Sequence, residues 1–303
     1  MTEMTNFQRE ISRLLPNIKL LFDEPMAKHT SFRIGGPAEV MAFPENADQL
    51  AEILKVSTVL DIKPAIIGAG TNILAPDAGL PGLTVCIKDN LSAVEMVDAT
   101  HIRASAGATM TKTAVFAANA GLSGLEFAHG IPGSVGGGVY MNAGAYGGEI
   151  KDVFTSAEVM TYDGKLHTYT AEEMAFSYRH SRLEEQPGIV LSAVFALTPK
   201  PADQIRGYMQ ELAAKRKASQ PLDKPSAGSA FKRPVGGYAA ALIDQAGLKG
   251  YRVGGAAISE KHAGFAVNLG DATAEDVKTL LRQVSQKVYE KSGIRLEPEV
   301  RVW

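Results

Sequence analysis

The chemistry of this chain starts from its glycines. Ten of the thirty lie between Gly121 and Gly148, in GLSGLEFAHGIPGSVGGGVYMNAGAYGG, far more than even spacing would place there. Glycine loses more conformational entropy on folding than any other residue, so such a cluster is costly unless bare backbone is needed. The usual need is close approach of backbone N–H groups to an anion, commonly a phosphate. A shorter loop upstream, Gly68-Ala69-Gly70-Thr71-Asn72, has the same character. Two such loops point to a large ligand with a diphosphate in its middle. For the shorter loop alone, tight turns explain the glycines equally well. The longer segment sets Gly136-Gly137-Gly138 beside Ser134 and Asn142, and there ligand binding is favoured. Three polar side chains elsewhere read blandly by themselves. Arg179 in FSYRHS reads as a solvated surface residue, Ser229 in SAGSAFKRP as a turn residue, and Glu299 in LEPEVR as part of a solvated strand face.

Several function classes are excluded. The loops do not form a GxGxxG opening a helix, so an ordinary Rossmann site is unsupported, and no GxxxxGK[ST] marks a P-loop ATPase. HExxH, paired CxxC and EF-hand patterns are also missing, so no metal site is expected. The single cysteine, Cys86, forbids an internal disulfide and sits in LTVCIK, which reads as a buried strand. A net charge of −2 gives no basic surplus for nucleic acid or an anionic membrane. The N-terminus, MTEMTNFQREISRLL, lacks the apolar core of a signal peptide, and the longest apolar run, 189–197, is about half a bilayer span. A cytoplasmic protein that binds neither nucleic acid nor membrane is expected.

The elements that must hold these loops follow from pattern. Residues 6–15 predict a leading helix and 39–43 a strand ended by Pro44. Asn46 can cap a helix over 47–60, and Ala65-Ile66-Ile67 then forms a strand feeding the shorter loop. That is β-α-β with the loop at the carboxyl end of a strand, where ligand loops sit in α/β units. Three short strands are expected over 83–106, a helix over 109–120 stopped by Gly121, and strands over 157–162, 165–169 and 189–197 with an Asp163-Gly164 turn. Thr198-Pro199-Lys200-Pro201 marks a domain boundary. Beyond it, Ile205, Tyr208, Met209 and Leu212 form one helix face, and 218–237 reads as an exposed loop. Thr273 caps a helix with the apolar stripe Val277, Leu280, Leu281, Val284 and Val288, stopped by Gly293. Residues 295–303 finish as a strand with Glu297, Glu299 and Arg301 on one face and Leu296, Val300 and Val302 on the other.

The order of IGAGTNIL, GIPGSVGGGVYMNAGAYG, FSYRHS, AGSAFKRP and LEPEVRV resembles that in the UDP-N-acetylenolpyruvoylglucosamine reductases, the MurB family. HTSFRIGG, LIDQAGLKG, GGAAIS and HAGFAVN are similar as well, so the likeness runs from about residue 29 to the C-terminus. It implies an α/β and α+β chain. A two-lobed FAD-binding domain of the vanillyl-alcohol-oxidase (PCMH) type, lobes 1–80 and 81–200, would precede a C-terminal α+β substrate domain, 201–303. It further implies non-covalent FAD, NADPH as co-substrate, and reduction of the enolpyruvyl ether of UDP-N-acetylglucosamine to UDP-N-acetylmuramate. Phe195 runs through Thr198-Pro199-Lys200-Pro201 straight into the next helix, so the chain is similar to the shorter class without a tyrosine-bearing insertion.

The same resemblance assigns residues. Ile67, Gly68, Ala69, Gly70, Thr71, Asn72 and Ile73, with Gly133, Ser134, Gly137, Gly138, Asn142 and Gly144, would contact FAD. Arg179 would hold the substrate carboxylate by two parallel hydrogen bonds and offset developing charge. Ser229 would protonate the carbanion, helped by Lys232 or Arg233, and Glu299 would lie at the same place. Lys217 and Lys249 match diphosphate ligands, Tyr146 the sugar–enolpyruvyl region, and Arg233 a position where some relatives carry asparagine. A monomer is expected. Two other readings stay open: another FAD oxidoreductase on this scaffold, or a flavin-binding module without chemistry.

Overall fold

A computed structural model describes residues 4–88 and 90–303. The chain forms two compact units, each assembled from separate segments: residues 1–22, 40–69 and 82–215 make the first, and 23–39, 70–81 and 216–303 the second. The three contiguous blocks read from the sequence describe lobes, whereas contacts draw two short N-terminal segments into the unit of the C-terminus. The change of unit near the C-terminal side falls at Lys215/Arg216, within the helix Ala202–Ser219 rather than at the prolines before it.

In the first unit, the β-α-β reading holds. The strand Pro37–Phe43 leads to the helix Ala47–Val59, whose Asn46 side chain accepts the Gln49 N–H (2.9 Å), and then to the strand Ala65–Ile67. These strands join a four-stranded sheet in which Leu80–Cys86 lies between them and runs parallel to Ala65–Ile67. Lys19–Pro25 adds an edge strand that the sequence pattern does not announce. Cys86 is buried in its strand, as expected.

A second, antiparallel sheet follows the order Leu166–Thr170, Phe154–Thr161, Gly188–Ala196, His101–Ser105, Val94–Met96. Gly164, at φ +81°, closes the expected Asp163-Gly164 turn. Helix Met110–Asn119 is capped by Thr109. The glycine segment itself contains a short helix, Val135–Tyr140, with Ser134 at its N-cap. Glycine's poor helix propensity hides this element from sequence. It fits because bare backbone lies close to its neighbours: a Cβ on Gly136 would stand 3.0 Å from the Ala106 Cβ, and one on Gly138 2.8 Å from the Met110 sulfur.

In the second unit the helix Ala274–Ser292 buries Val277, Leu280, Leu281, Val284 and Val288, starts on a Thr273 capping box and ends at Gly293 in the left-handed region (φ +72°). It packs with Phe32, Ile34 and Leu74 from the two N-terminal segments. Three short antiparallel strands, Arg252–Val253, Ala256–Ile258 and Ala266–Asn268, stand beside it.

Three local expectations are corrected. Segment 218–237 is not simply an exposed loop: Ala227, Ala230 and Phe231 are buried, and residues 229–232 bond to two neighbouring segments. Long-range pairing, not local pattern, orders it. The C-terminal strand is regular only over Arg301–Val302, because Pro298 has no N–H to donate, and Val302 is half exposed although its alternation places it with Leu296 and Val300. Tyr208 is exposed, while Ile205, Met209 and Leu212 of its helix are buried.

Candidate active site

Gly68 of the shorter loop meets the longer glycine loop inside the first unit. Ile67, itself buried, ends the strand Ala65–Ile67, its carbonyl accepting the Ile87 N–H (2.9 Å), and Gly68 follows at once. A Cβ on Gly68 would collide with the Ser134 hydroxyl of the other loop. Ser134 is buried and its hydroxyl accepts the Gly137 N–H (3.4 Å). The second loop is fixed by Met110 N–H to the Gly133 carbonyl (3.0 Å) and Val135 N–H to the Ala108 carbonyl (2.8 Å). Among the described residues, the N–H groups of Gly68, Ala69, Gly133 and Ser134 have no hydrogen-bond partner. Four free donors on two touching, side-chain-poor loops match what a diphosphate requires.

Asn142 and Gly144 are hydrogen-bonded within the first unit. Asn142 is fully buried in the left-handed region (φ +42°). Its amide donates to Glu149 Oε2 (2.8 Å) and to the Ser177 carbonyl (3.0 Å), and its oxygen accepts the Lys151 N–H (3.0 Å). Gly144's carbonyl accepts from Arg179 Nη2 (3.0 Å). Arg179 sits on a tight turn whose ends, Ser177 and His180, exchange backbone hydrogen bonds. Its guanidinium lies 5.0 Å from the Tyr178 ring centroid. Arg179 (φ +57°) and Tyr146 (φ +54°) also adopt left-handed backbone. Such conformations cost free energy and gather where geometry matters.

The second unit carries the other two catalytic candidates on adjoining segments. Ser229 bridges to Phe265, and the Ala230 N–H donates to the Gly264 carbonyl (2.8 Å). On the other side, Phe231 bridges to Pro298 and the Glu299 N–H donates to the Ala230 carbonyl (3.0 Å). Ser229 is exposed and Glu299 half-buried. The loop residue Asn72 braces the segment of Glu299: its amide donates to the Glu299 carbonyl (3.1 Å), and its carbonyl accepts the Arg301 N–H (3.0 Å). Ile73 pairs in parallel with Arg301. Gly70, at φ +61°, is pressed against the His29 carbonyl, and its own carbonyl accepts the Ser31 N–H (3.0 Å). Thr71 stands between Gly70 and Asn72 in this unit.

The basic residues near Ser229 point to other partners. Lys232 pairs with Glu297 (2.5 Å), and the Arg233 guanidinium lies 4.7 Å from the Tyr238 ring centroid. Lys217 and Lys249 are both exposed. Lys261 Nζ donates to the Lys217 carbonyl (2.6 Å), and next to it the His262 imidazole is pushed below its ordinary pKa by burial and by the charge of Lys249, which outweigh an opposing backbone hydrogen bond. Lys249 also pairs with Asp244 (2.8 Å). Neither Lys261 nor His262 stands out in sequence, since HAGFAVN carries no spacing tied to the lysines. Among the described residues no group of three acidic, histidine or cysteine side chains forms a metal site.

Comparison with known proteins adds the following. Residues 38–170 match the family described as FAD binding domain, and residues 220–303 match UDP-N-acetylenolpyruvoylglucosamine reductase, C-terminal domain. The chain is 51% identical to the UDP-N-acetylenolpyruvoylglucosamine reductase of Agathobacter rectalis, over 98% of each chain. It is 46% identical to that of Latilactobacillus sakei, over 94% of this chain and 93% of the other. The crystal structure of the UDP-N-acetylenolpyruvylglucosamine reductase from Thermus caldophilus superposes with a TM-score of 0.80 at 36% identity, covering 95% of this chain and 99% of that one. The fold is the expected combination of a PCMH-type FAD-binding domain with this C-terminal domain, mixed α and β throughout.

Proposed function

Since the chain belongs to the UDP-N-acetylenolpyruvoylglucosamine reductase family, we propose that it is an NADPH-dependent flavoenzyme making UDP-N-acetylmuramate for peptidoglycan synthesis. The observation that carries this reading is the meeting of the Gly68 and Ser134 loops with four N–H donors left free. The N–H groups of Gly68, Ala69, Gly133 and Ser134 would hold the diphosphate of FAD. When bound, FAD supplies hydride transfer from NADPH to the methylene carbon of the substrate's enol ether.

The chain's own residues do the rest. Negative charge builds on the carbon beside the substrate carboxylate and spreads into it. Arg179, permanently charged and forked, holds that carboxylate and offsets the charge. The Ser229 hydroxyl gives the proton to that carbon. Glu299 lies beside the carboxylate in protonated form, since two like charges would otherwise repel. Lys217 and Lys249 hold the substrate diphosphate, Tyr146 packs on its sugar–enolpyruvyl part, and Arg233 contacts the substrate. The protein works as a cytoplasmic monomer.

The test is an anaerobic titration. The purified protein is expected to be yellow, to bleach with NADPH, and to recover its colour with one equivalent of the enolpyruvyl substrate as UDP-N-acetylmuramate appears by mass spectrometry. Bleaching without recovery would move the reading to another substrate of a flavin oxidoreductase. A colourless protein that takes up no FAD would end it. Light scattering at the mass of one chain checks the monomer.

A further inference from the structure

We propose that Asn142 is a positioning residue that holds Arg179 in its working orientation. This rests on the catalytic reading of Arg179 given above. The turn bearing Arg179 is gripped at three points by one stretch of the glycine segment. Its first residue is held through the Ser177 carbonyl by the Asn142 amide (3.0 Å). Just past its end, the buried Ser181 hydroxyl donates to the Tyr140 carbonyl (2.7 Å). The guanidinium at its tip donates to the Gly144 carbonyl (3.0 Å). Of these three holds on the turn, Asn142 supplies the only one that comes from a side chain of the glycine segment.

Both hydrogens of that side-chain amide are committed, one to Ser177 and one to Glu149 (2.8 Å). Its oxygen takes the Lys151 N–H, and the residue is fully buried. An amide engaged in this way acts inside the protein rather than on a ligand. Glu149 is itself anchored: its backbone N–H donates to Asp152 Oδ2 (2.9 Å), and its carboxylate pairs with Lys151 (2.5 Å). The chain of contacts therefore runs from the Glu149–Lys151 pair through Asn142 to Ser177 and on to Arg179. A hold of this kind is needed because Arg179 has left-handed backbone (φ +57°), which an arginine does not keep unaided. Asn142 (φ +42°) is in the same region, where asparagine is among the better tolerated residues.

The test uses two variants that tolerate this backbone. Asn142→Asp keeps the size and the acceptor for Lys151 but cannot donate to Ser177. Asn142→Gly removes the side chain altogether. Each is purified with FAD and followed by stopped flow in its two half-reactions, NADPH bleaching and recovery by the enolpyruvyl substrate. We expect FAD content and bleaching rate within about threefold of the parent and recovery slowed roughly 10- to 100-fold, the range for a misplaced catalytic group. The deciding measurement is a double-mutant cycle. In an Arg179→Ala background, Asn142→Gly should slow recovery less than about threefold further, since the group it positions is gone. Undiminished cost in that background, normal recovery in both single variants, or loss of FAD on substitution would each overturn the proposal. If Arg179→Ala alone recovers normally, the catalytic reading of Arg179 fails instead, and the cycle reports that separately.

Discussion

Ser229 is exposed on a segment whose cations are already engaged, Lys232 by Glu297 and Arg233 by Tyr238. An isolated hydroxyl is a weak acid, so the proton transfer proposed for it depends on placement against the carbanion. Ser229→Ala is expected to leave NADPH bleaching nearly unchanged and to slow recovery by about 10²–10⁴-fold, the usual worth of a positioned general acid. Equal slowing of both half-reactions would make the serine structural. For Glu299, the expected state in the substrate complex is the protonated acid, read as a carboxylic C=O band in isotope-edited infrared spectra. An ionised carboxylate there would refute it. At this scale the sequence is legible only through long motifs. Arg179, Ser229 and Glu299 each look ordinary alone, and the commitment of Asn142 to Glu149, Ser177 and Lys151 depends on pairings up to 35 residues apart.

Elements were more readable than residues where local rules decide them. The helix Ala274–Ser292 has its cap, its stripe and its glycine stop all written in sequence, and each appears as expected. What sequence does not reveal is its external support. Asp77 accepts the N–H groups of Ala274 (2.7 Å) and Glu275 (3.1 Å), a second cap from a distant segment. Asp77→Ala should lower unfolding stability by about 1 kcal/mol, as losing a cap does, measured by urea melts. Asp276 adds a pH dependence. Backbone N–H groups of Thr273 and Gly255 pull its carboxyl below the ordinary range, against a small opposing effect of burial. Its folded pKa is thus lower than its unfolded one. The stabilisation is present above the ordinary carboxylate range and is lost as pH falls through the folded value. Asp276→Asn should therefore flatten the acid limb of the stability–pH curve. The paired segment 229–232 is hidden for the opposite reason: its hydrogen bonds come from far along the chain.

At the scale of the molecule, the polypeptide passes between its two units at residues 22/23, 39/40, 69/70, 81/82 and 215/216. A composition shift at 198–201 is all the sequence offers here, because membership of 23–39 and 70–81 is decided by packing of Phe32, Ile34 and Leu74 rather than by local pattern. A fragment of residues 216–303 would lack those side chains, the Asp77 cap and the Ile73-Leu74 partner of Arg301-Val302. It is expected to show neither dispersed amide resonances nor cooperative melting; a folded fragment would contradict the division described above.

The interleaving bears on how such an enzyme can diversify. A single genetic crossover near residue 200 would graft a new tail onto two strips of the old one, leaving mismatched packing at Phe32, Ile34 and Leu74. Successful chimaeras would have to transplant three stretches together. Substrate preference in this lineage should then drift by point replacement inside the tail rather than by wholesale module shuffling.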